Sequence, residues 1–175
     1  MNRHNNMIIR PFEKADLFAL RNLICETIEI SYRKDYPSRA IDFFKQFHSK
    51  ERIMERTASG TVLVVEQDGE LVATGSLDGA EIFAVFVDPG RQGTGLGRKL
   101  MELLENRAHQ NGVTKTVLSI SLPSRRFYEG LGYQVVEERS RDLGSGQVLK
   151  FWKAEKQIYP SMAISSGLPT KPPAP

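Results

Sequence analysis

The chain has little cysteine and no long apolar run, which limits the kinds of protein it can be. Cys25 is its only cysteine and is expected to be a small buried hydrophobic residue rather than a reactive thiol. A chain of 175 residues is expected to form one domain that buries about 70% of its unfolded surface, so the core needs no disulfide. No run of about 18 apolar residues occurs, and residues 1 to 16 carry no signal-peptide pattern. These absences predict a soluble, cytoplasmic protein.

The sequence also lacks a strong charge bias, a cluster of metal ligands and a serine-hydrolase motif. The net charge is +3 and the basic residues are scattered, which argues against a nucleic-acid surface and is compatible with a small anionic ligand. The histidines, His4, His48 and His109, lie far apart with no cysteine or carboxylate pattern around them, so no metal site is expected. No Gly-x-Ser-x-Gly sequence is present. Neither nucleic acid nor a membrane is therefore an expected partner, whereas a homodimer is compatible with the sequence.

The first half of the chain changes from helical to strand periodicity. After a first strand in "MIIRPF", apolar residues at helical spacing predict a helix from about Leu17 to Tyr32, and Pro37-Ser38 and Ser49 each open a shorter helix before Gly60. Three β-rich runs then follow, joined by two Asp-Gly pairs, which are strong hairpin signals. Residues 61 to 87 are therefore predicted to form an antiparallel three-stranded meander.

The second half returns to helical periodicity and then to strands. Leucines from Leu96 onward predict a helix that ends at Gly112, followed by a strand in "TKTVLSIS", a short helix in "SRRFYEGLG" and a final hairpin. Residues 157 to 175 contain five of the nine prolines and are predicted to be a flexible tail. We therefore expect an α+β domain over residues 1 to 156, with a mixed but mostly antiparallel sheet flanked by helices.

A glycine-dense corner, "DPGRQGTGLG" at residues 88 to 97, joins the meander to the next helix. It is not a P-loop, because Lys99 does not follow the required glycine, and it is not a dinucleotide fingerprint, because Arg98 occupies the third-glycine position. Glycines let backbone N–H groups approach a ligand closely, and the helix that starts here directs its positive end at the same point. These properties predict a pyrophosphate site, although a tight strand-to-helix turn explains the glycine count equally well.

The order of motifs around this corner resembles one known family. Val87-x-Pro89 followed by Gln92-x-x-Gly95-x-Gly97, after a meander and before an amphipathic helix, resembles the acetyl-CoA signature of the GNAT superfamily of N-acetyltransferases. The later segment "SLPSRRFYEGLGY" is similar to the second motif of that family, with serines at 121 and 124 in place of the usual asparagine and alanine. The resemblance covers about residues 7 to 155.

The resemblance implies acetyl-CoA as co-substrate and assigns residues to it. The strand before the corner is expected to pair its backbone with the pantetheine arm, through Val85, Phe86 and Val87. The corner and the first turn of the helix are expected to receive the pyrophosphate. That second group consists of Gln92, Gly93, Thr94, Gly95, Leu96, Gly97 and Arg98.

Acetyl transfer to an amine needs a base for the amine and an acid for the departing thiolate. Glu81 matches the place where several members of the family carry a catalytic glutamate; the alternative is a solvent-facing strand carboxylate. Strand alternation puts it on the side of Phe83, Val85 and Val87 unless a bulge intervenes, so both interpretations stand. Tyr128 matches the tyrosine that serves as acid in the family, and its alternative role is that of a packed core aromatic.

The acceptor is less well defined by the sequence. In the resembling family the segment between the first two helices walls the acceptor site, and here it contains the aromatics Tyr32, Tyr36, Phe43, Phe44 and Phe47. Arg33 or Arg39 is a candidate partner for a carboxylate, but each of these residues is equally explained as core or solvated surface. We therefore expect direct transfer of acetyl to an unidentified primary amine, of a small molecule or peptide; the alternative is a non-catalytic acyl-CoA-binding sensor or interaction module.

Overall fold

A computed structural model describes residues 7 to 159, which form one mixed sheet with helices on both faces. The seven strands lie in the order β1-β2-β3-β4-β5-β7-β6, and only the β4–β5 pair is parallel among the described residues. The strands are β1 Met7–Pro11, β2 Thr61–Gln67, β3 Glu70–Asp78, β4 Glu81–Val87, β5 Lys115–Ser121, β6 Gln134–Asp142 and β7 Val148–Gln157. The helices are α1 Leu17–Tyr32, α2 Ser38–Phe47, α3 Lys50–Ser59, α4 Leu96–Gln110 and α5 Arg125–Gly130. The predicted α+β class and the mostly antiparallel sheet are confirmed.

Local turn and cap residues set many of these boundaries. Asp68 and Gly69 both adopt positive φ, 53° and 85°, as the two central residues of a tight hairpin turn do. The side chain of Ser49 accepts a hydrogen bond from the backbone N–H of Arg52 and so caps α3. Gly112 has a φ of 84° just after α4, where a left-handed residue ends a helix without a Cβ penalty.

The sheet separates two apolar cores. On one face α4 packs through Leu100 and Leu104 against residues such as Val65, Leu118 and Ile120. Its close approach explains Gly75 in β3, where an added Cβ would lie 2.8 Å from Cδ1 of Leu104. These contacts fix α4, and with it the glycine corner, against the middle of the sheet.

On the opposite face α1 lies over the meander, with α2 and α3 beside it. Ile24 and Ile28 of α1 are buried with Val64 and Phe86 of the sheet. None of the helices among the described residues is both long and apolar enough to cross a membrane. Strand β7 continues to Gln157, and Ile158 is buried with its N–H donating to the carbonyl of Thr114. The predicted tail otherwise lies outside the described residues.

Candidate active site

The two central strands, β4 and β5, separate almost as soon as they meet. Within residues 7 to 159 their register consists of one pair, Glu81 opposite Val117, and the N–H of Val117 donates to the carbonyl of Ala80 at 2.9 Å. Beyond this point the edge of β4 that faces β5 has no strand partner. An extended ligand can therefore form backbone hydrogen bonds with β4 inside the sheet.

A β-bulge at Ala84 accompanies this separation. Ala84 has a φ of 51°, and the β3–β4 register shifts between Thr74 and Ser76, so that two residues of β4 lie opposite one of β3. Ile82 belongs to the core beneath α4, whereas Phe86 belongs to the core beneath α1. Ile82 and Phe86 are four residues apart, so regular alternation would put them on the same face, and the extra residue of the bulge is what places them on opposite faces.

The bulge determines on which side of β4 the Glu81 side chain lies relative to Val85 and Val87. Val85 and Val87 pack against the core on the α4 side, while Ala84 packs against the core on the α1 side. Glu81 precedes Ile82 and so points away from α4, on the same side as Phe83 but not that of Val85 and Val87. The exception that the sequence analysis allowed for is thus present: the bulge reverses the alternation partway along the strand, so Glu81 shares a side with Phe83 but not with Val85 and Val87.

The glycine corner is held by its own polar side chains. The carboxylate of Asp88 accepts from the N–H of Gly90 at 2.8 Å, and the hydroxyl of Thr94 donates to the carbonyl of Arg91 at 2.7 Å. The Gln92 amide donates to the carbonyl of Val87 at 3.0 Å and to the hydroxyl of Ser31 at 3.3 Å. Its side chain therefore braces the turn against the end of β4.

The backbone of the corner presents free donors at the start of α4. Gly93 and Gly95 have φ values of 76° and 87°, and no heavy atom outside their neighbours lies within 4 Å of a Cβ added at either. Within the described part of the chain, the N–H groups of residues 93 to 98 donate to no backbone carbonyl or side chain. Unpaired N–H groups at a helix N-terminus form an anion-binding site, so the corner is suited to a pyrophosphate.

The last glycine of the corner also has a packing role. A Cβ at Gly97 would lie 3.1 Å from Cζ of Phe127 and 3.5 Å from Cγ2 of Val87. The absence of a side chain at this position lets α5 approach α4. The Arg98 guanidinium extends in the same direction and donates to the carbonyl of Gly130 at 3.5 Å. The glycine spacing therefore serves close helix packing as well as backbone access.

Tyr128 lies on α5 between the two motifs. Its side chain is buried, and its ring packs against the rings of Phe127 and Tyr133 with centroids 5.0 and 5.9 Å away. Burial raises the pKa of the Tyr128 phenol well above its usual value, so the hydroxyl stays protonated at neutral pH. No described residue forms a hydrogen bond with this hydroxyl. The phenol is therefore available to donate to a ligand.

Glu81 and Tyr128 line one cleft, which we call the central cleft, of about 1220 Å³. Glu81 opens β4 with its side chain 50% exposed, and its Oε1 lies 3.8 Å from Nζ of Lys153. Val85 and Phe86 line the same cleft, while residues 92 to 98 lie outside its lining. The structure thus brings the predicted base and acid together at the β4–β5 opening and leaves the glycine corner at the far end of β4.

One wall of the central cleft is aromatic, as the segment after α1 suggested. Tyr32, Phe43, Phe44 and Phe47 line it. Tyr36 does not, because its hydroxyl is engaged behind the wall, donating to the carbonyl of Lys150 at 2.7 Å and accepting from the N–H of Leu122 at 2.9 Å.

The two arginines considered for a carboxylate point elsewhere. Arg33 is paired with Glu29 on the exposed side of α1, and Arg39 donates to the carbonyl of Leu143 at 2.8 Å. Neither lines the central cleft. The expectation that one of them faces the acceptor therefore finds no support in the geometry.

The serines at 121 and 124 form a small hydrogen-bonded group at the end of β5. The Ser121 hydroxyl lies 3.1 Å from the Tyr32 hydroxyl, to which it donates, and 2.8 Å from the Ser124 hydroxyl. All three side chains line the central cleft. The departure from asparagine and alanine thus connects α1 to the start of α5.

A histidine and an arginine that the sequence did not indicate form the end of the aromatic wall. His48 is buried, and Nη1 of Arg56 lies 2.7 Å from its Nδ1. Burial, followed by the charges of Arg56 and Arg21, lowers the pKa of His48 to about 3, so the ring is neutral and Nδ1 accepts. Nη2 of Arg56 donates to the carbonyl of Phe47 at 2.8 Å. No motif marks either residue, because their contact depends on how α2 and α3 meet.

A sheet opened at its centre, a free N-terminal helix turn beside it and an aromatic cleft together form a site suited to an extended anionic ligand. The family model described as "Acetyltransferase (GNAT) domain" matches residues 32–148, more than half of the chain. The chain therefore belongs to the GNAT acetyltransferase family.

A curated relative and two solved structures agree with this assignment. The chain is 30% identical to "Probable N-acetyltransferase 14" of Danio rerio, over 48% of this chain and 35% of that protein. It spans only about a third of that relative's length. The PaiA N-acetyltransferase of Thermoplasma acidophilum, in complex with coenzyme A, is similar with a TM-score of 0.74 and 18% identity, over 87% of this chain and 99% of that one. YncA of Salmonella typhimurium, with its cofactor acetyl-CoA, has a TM-score of 0.64 and 22% identity, over 92% and 99%. At these identities the structures establish the fold alone.

Proposed function

We propose that this protein transfers the acetyl group of acetyl-CoA directly to a primary amine that binds in the central cleft. The observation that carries the proposal is the β4–β5 opening, which extends from the Glu81–Val117 pair toward the glycine corner and has Tyr128 on its lining. A ligand with a pyrophosphate at one end and a thioester at the other has the chemistry to occupy these places in that order.

Acetyl-CoA is held in this proposal at two places. The pyrophosphate accepts from the free N–H groups of residues 93 to 98, with Gln92 bracing the turn, and the positive end of α4 favours its charge. The pantetheine amides pair with the open edge of β4 at Val85, Phe86 and Val87. The likeness to structures that hold coenzyme A or acetyl-CoA supports this placement.

The amine must lose a proton before it attacks. An alkylamine with a pKa near 10.4 lies about 3.4 pH units from neutrality, so exposing its lone pair at pH 7 costs roughly 4 to 5 kcal/mol. Glu81 is the carboxylate on the cleft side of β4, and its half-exposed position gives it access to a bridging water. In our proposal the proton passes to Glu81, directly or through that water.

The neutral amine then attacks the thioester carbonyl. The new C–N bond forms as the C–S bond breaks, and the electron pair of that bond leaves on sulfur. Tyr128, whose phenol is protonated and has no hydrogen-bond partner among residues 7 to 159, donates the proton that the thiolate takes up. The nitrogen releases its second proton to water as the amide forms, and the Tyr128 phenolate regains a proton from that water. No covalent acetyl-enzyme is required, because amine and thioester react in one ternary complex.

The proposal is tested by measuring thiol release from acetyl-CoA over a panel of primary amines. Tyr128→Phe is expected to lower kcat by about 100-fold or more while coenzyme A still binds, since positioned proton donors contribute about 10² to 10⁴. Tyr133→Phe is the matched control, because it removes a neighbouring hydroxyl that is bound to Thr116 instead.

Two outcomes would contradict acetyl transfer. Coenzyme A binding without thiol release over the whole panel, unchanged in Tyr128→Phe, would support a non-catalytic acyl-CoA-binding module. Failure to bind coenzyme A in a calorimetric titration would remove both functions.

A further inference from the structure

Arg56 is a cation of the central cleft that has only neutral polar partners. Its guanidinium donates to Nδ1 of His48 and to the carbonyl of Phe47, and no carboxylate of the described residues lies within 4.0 Å of it. These two bonds use two of the five N–H groups of a guanidinium, so three remain. The side chain lines the cleft, and partial burial lowers the pKa of Arg56.

Three other cations of the cleft lie beside a carboxylate. Arg52 lies 3.2 Å from Glu55, Arg139 lies 2.8 Å from Glu137, and Lys153 lies 3.8 Å from Glu81. Arg141 has no carboxylate partner either, but it is exposed and lies over the ring of Phe43. Arg56 is thus the half-buried cation of the cleft that no described carboxylate contacts, and burying a charge without a contacting partner is unfavourable.

The guanidinium of Arg56 is also fixed in orientation. His48 and Phe47 hold one terminal nitrogen each, and the guanidinium carbon lies 5.1 Å from the ring centroid of Phe47 and 5.4 Å from that of Phe83. His48 is itself held in place, with its ring edge-on to Phe86 at 5.0 Å. An arginine held on several sides loses little conformational entropy when it binds a planar anion.

Arg56 lies in the same cleft as Glu81, the predicted base. Phe83, which Arg56 contacts, follows Glu81 by two residues on the same side of β4, and such residues are about 7 Å apart. An amine near Glu81 and an anion at Arg56 would therefore lie in one cleft, on the same side of β4. A carboxylate is the planar group that matches the guanidinium fork.

We propose that the acceptor amine carries a carboxylate and that Arg56 binds it, so that the substrate class is an amino carboxylate. The inference rests on the proposed acetyl transfer for the role of the amine. The carboxylate site itself depends only on the geometry of Arg56, His48 and Phe47.

The carboxylate site is tested by a binding measurement that needs no turnover. Protein saturated with coenzyme A is titrated with phenylacetate and, separately, with phenylacetamide, which has the same shape without the charge. We expect phenylacetate to bind more tightly, and Arg56→Met to weaken it by about 10- to 100-fold, the range for a hydrogen bond to a charged group. Arg56→Lys keeps the positive charge but loses the planar guanidinium, so its affinity for phenylacetate is expected to lie between those of the wild-type protein and Arg56→Met.

Arg52→Met is the matched control, because it removes the same charge from the same helix and the same cleft but from a residue paired with Glu55. It is expected to change phenylacetate affinity by less than about threefold, as for an exposed ion pair. Equal affinity of the wild-type protein for phenylacetate and phenylacetamide, or equal losses in the Arg52 and Arg56 variants, would overturn the carboxylate site.

A second measurement connects the site to the acceptor. The ratio of kcat/KM for phenylalanine to that for 2-phenylethylamine is expected to exceed about 10 in the wild-type protein and to fall toward 1 in Arg56→Met. A ratio near 1 in both proteins would reject the carboxylate as a feature of the acceptor. Phenylacetate binding that depends on Arg56, without any acetyl transfer, would instead reject the proposed enzyme and leave the anion site standing.

Discussion

Replacing His48 by asparagine is expected to make the protein less sensitive to acid. Asparagine keeps an acceptor oxygen near the place of Nδ1, so the bond from Arg56 has a partner, but it has no proton to gain. In the wild-type protein the pKa of His48 is lowered from 6.5 to about 3, chiefly by burial and then by the nearby charges of Arg56 and Arg21. The variant therefore removes one titration and retains the polar contact.

The direction of the pH effect follows from which state binds the proton. Below about pH 6.5 the unfolded chain protonates His48 while the folded protein does not, so acid favours unfolding. The stability from this site is complete above pH 6.5 and is lost as the pH falls toward 3. At pH 5 the loss is about 2 kcal/mol, from 1.5 pH units at 1.36 kcal/mol each.

Urea unfolding at pH 7.5 and pH 5 measures this loss. With an m-value of about 2 kcal/mol per molar urea, the midpoint of the wild-type protein should fall by about 1 M more than that of His48→Asn. A lower midpoint of the variant at pH 7.5 does not affect the comparison, because only the change with pH is used. His109→Asn makes the same replacement on α4, outside the cleft. An equal fall of the urea midpoint in His48→Asn and the wild-type protein, or an equally reduced fall in His109→Asn, would refute the role of His48.

Two further predictions concern backbone positions with positive φ. Gly95→Leu is expected to abolish coenzyme A binding and to lower the free energy of unfolding by about 1 to 2 kcal/mol. Gly69 has a nearly identical φ of 85°, and a Cβ added there would also meet no heavy atom within 4 Å. Gly69→Leu should therefore cost the same stability and leave coenzyme A binding intact. Calorimetry and urea unfolding test this pair, and wild-type affinity in Gly95→Leu would contradict the pyrophosphate site. Ala84→Val is expected to lower the free energy of unfolding by about 1 to 2 kcal/mol, because a β-branched residue is strained at a φ of 51°. Ala80→Val, in the turn before β4, is the control. Equal urea midpoints for the two alanine variants would show that the bulge is not strained.

The elements of the fold were predictable because their signals are local. Ser49 begins α3 by side-chain capping and Gly112 follows α4 with a φ of 84° that suits a residue without a Cβ, and such effects need no knowledge of distant residues. The helix predicted from Leu17 to Tyr32 has these same bounds in the structure. The order of the motifs also indicated the acetyltransferase family, which the family match confirms.

The features that sequence analysis missed depend on tertiary contacts. Ala84 has no residue-type preference for positive φ, so nothing in "EIFAVFV" indicated the bulge that turns Glu81 away from Val85. Arg56 and His48 became a pair only because the junction of α2 and α3 folds back over β4. The roles of Glu81, Tyr128 and the glycine corner remain predictions for the experiments above.

The opening between β4 and β5 also determines how the domain holds together. Within the sheet, strands β1 to β4 are joined to strands β5 to β7 by one described residue pair, Glu81 and Val117. Helix α4 also contacts both groups of strands on one face of the sheet. A co-substrate lying in the gap would take the position of a missing strand and tie both halves to each other. Binding of such a co-substrate would therefore also stabilise the sheet at the junction where only one described residue pair joins its two halves.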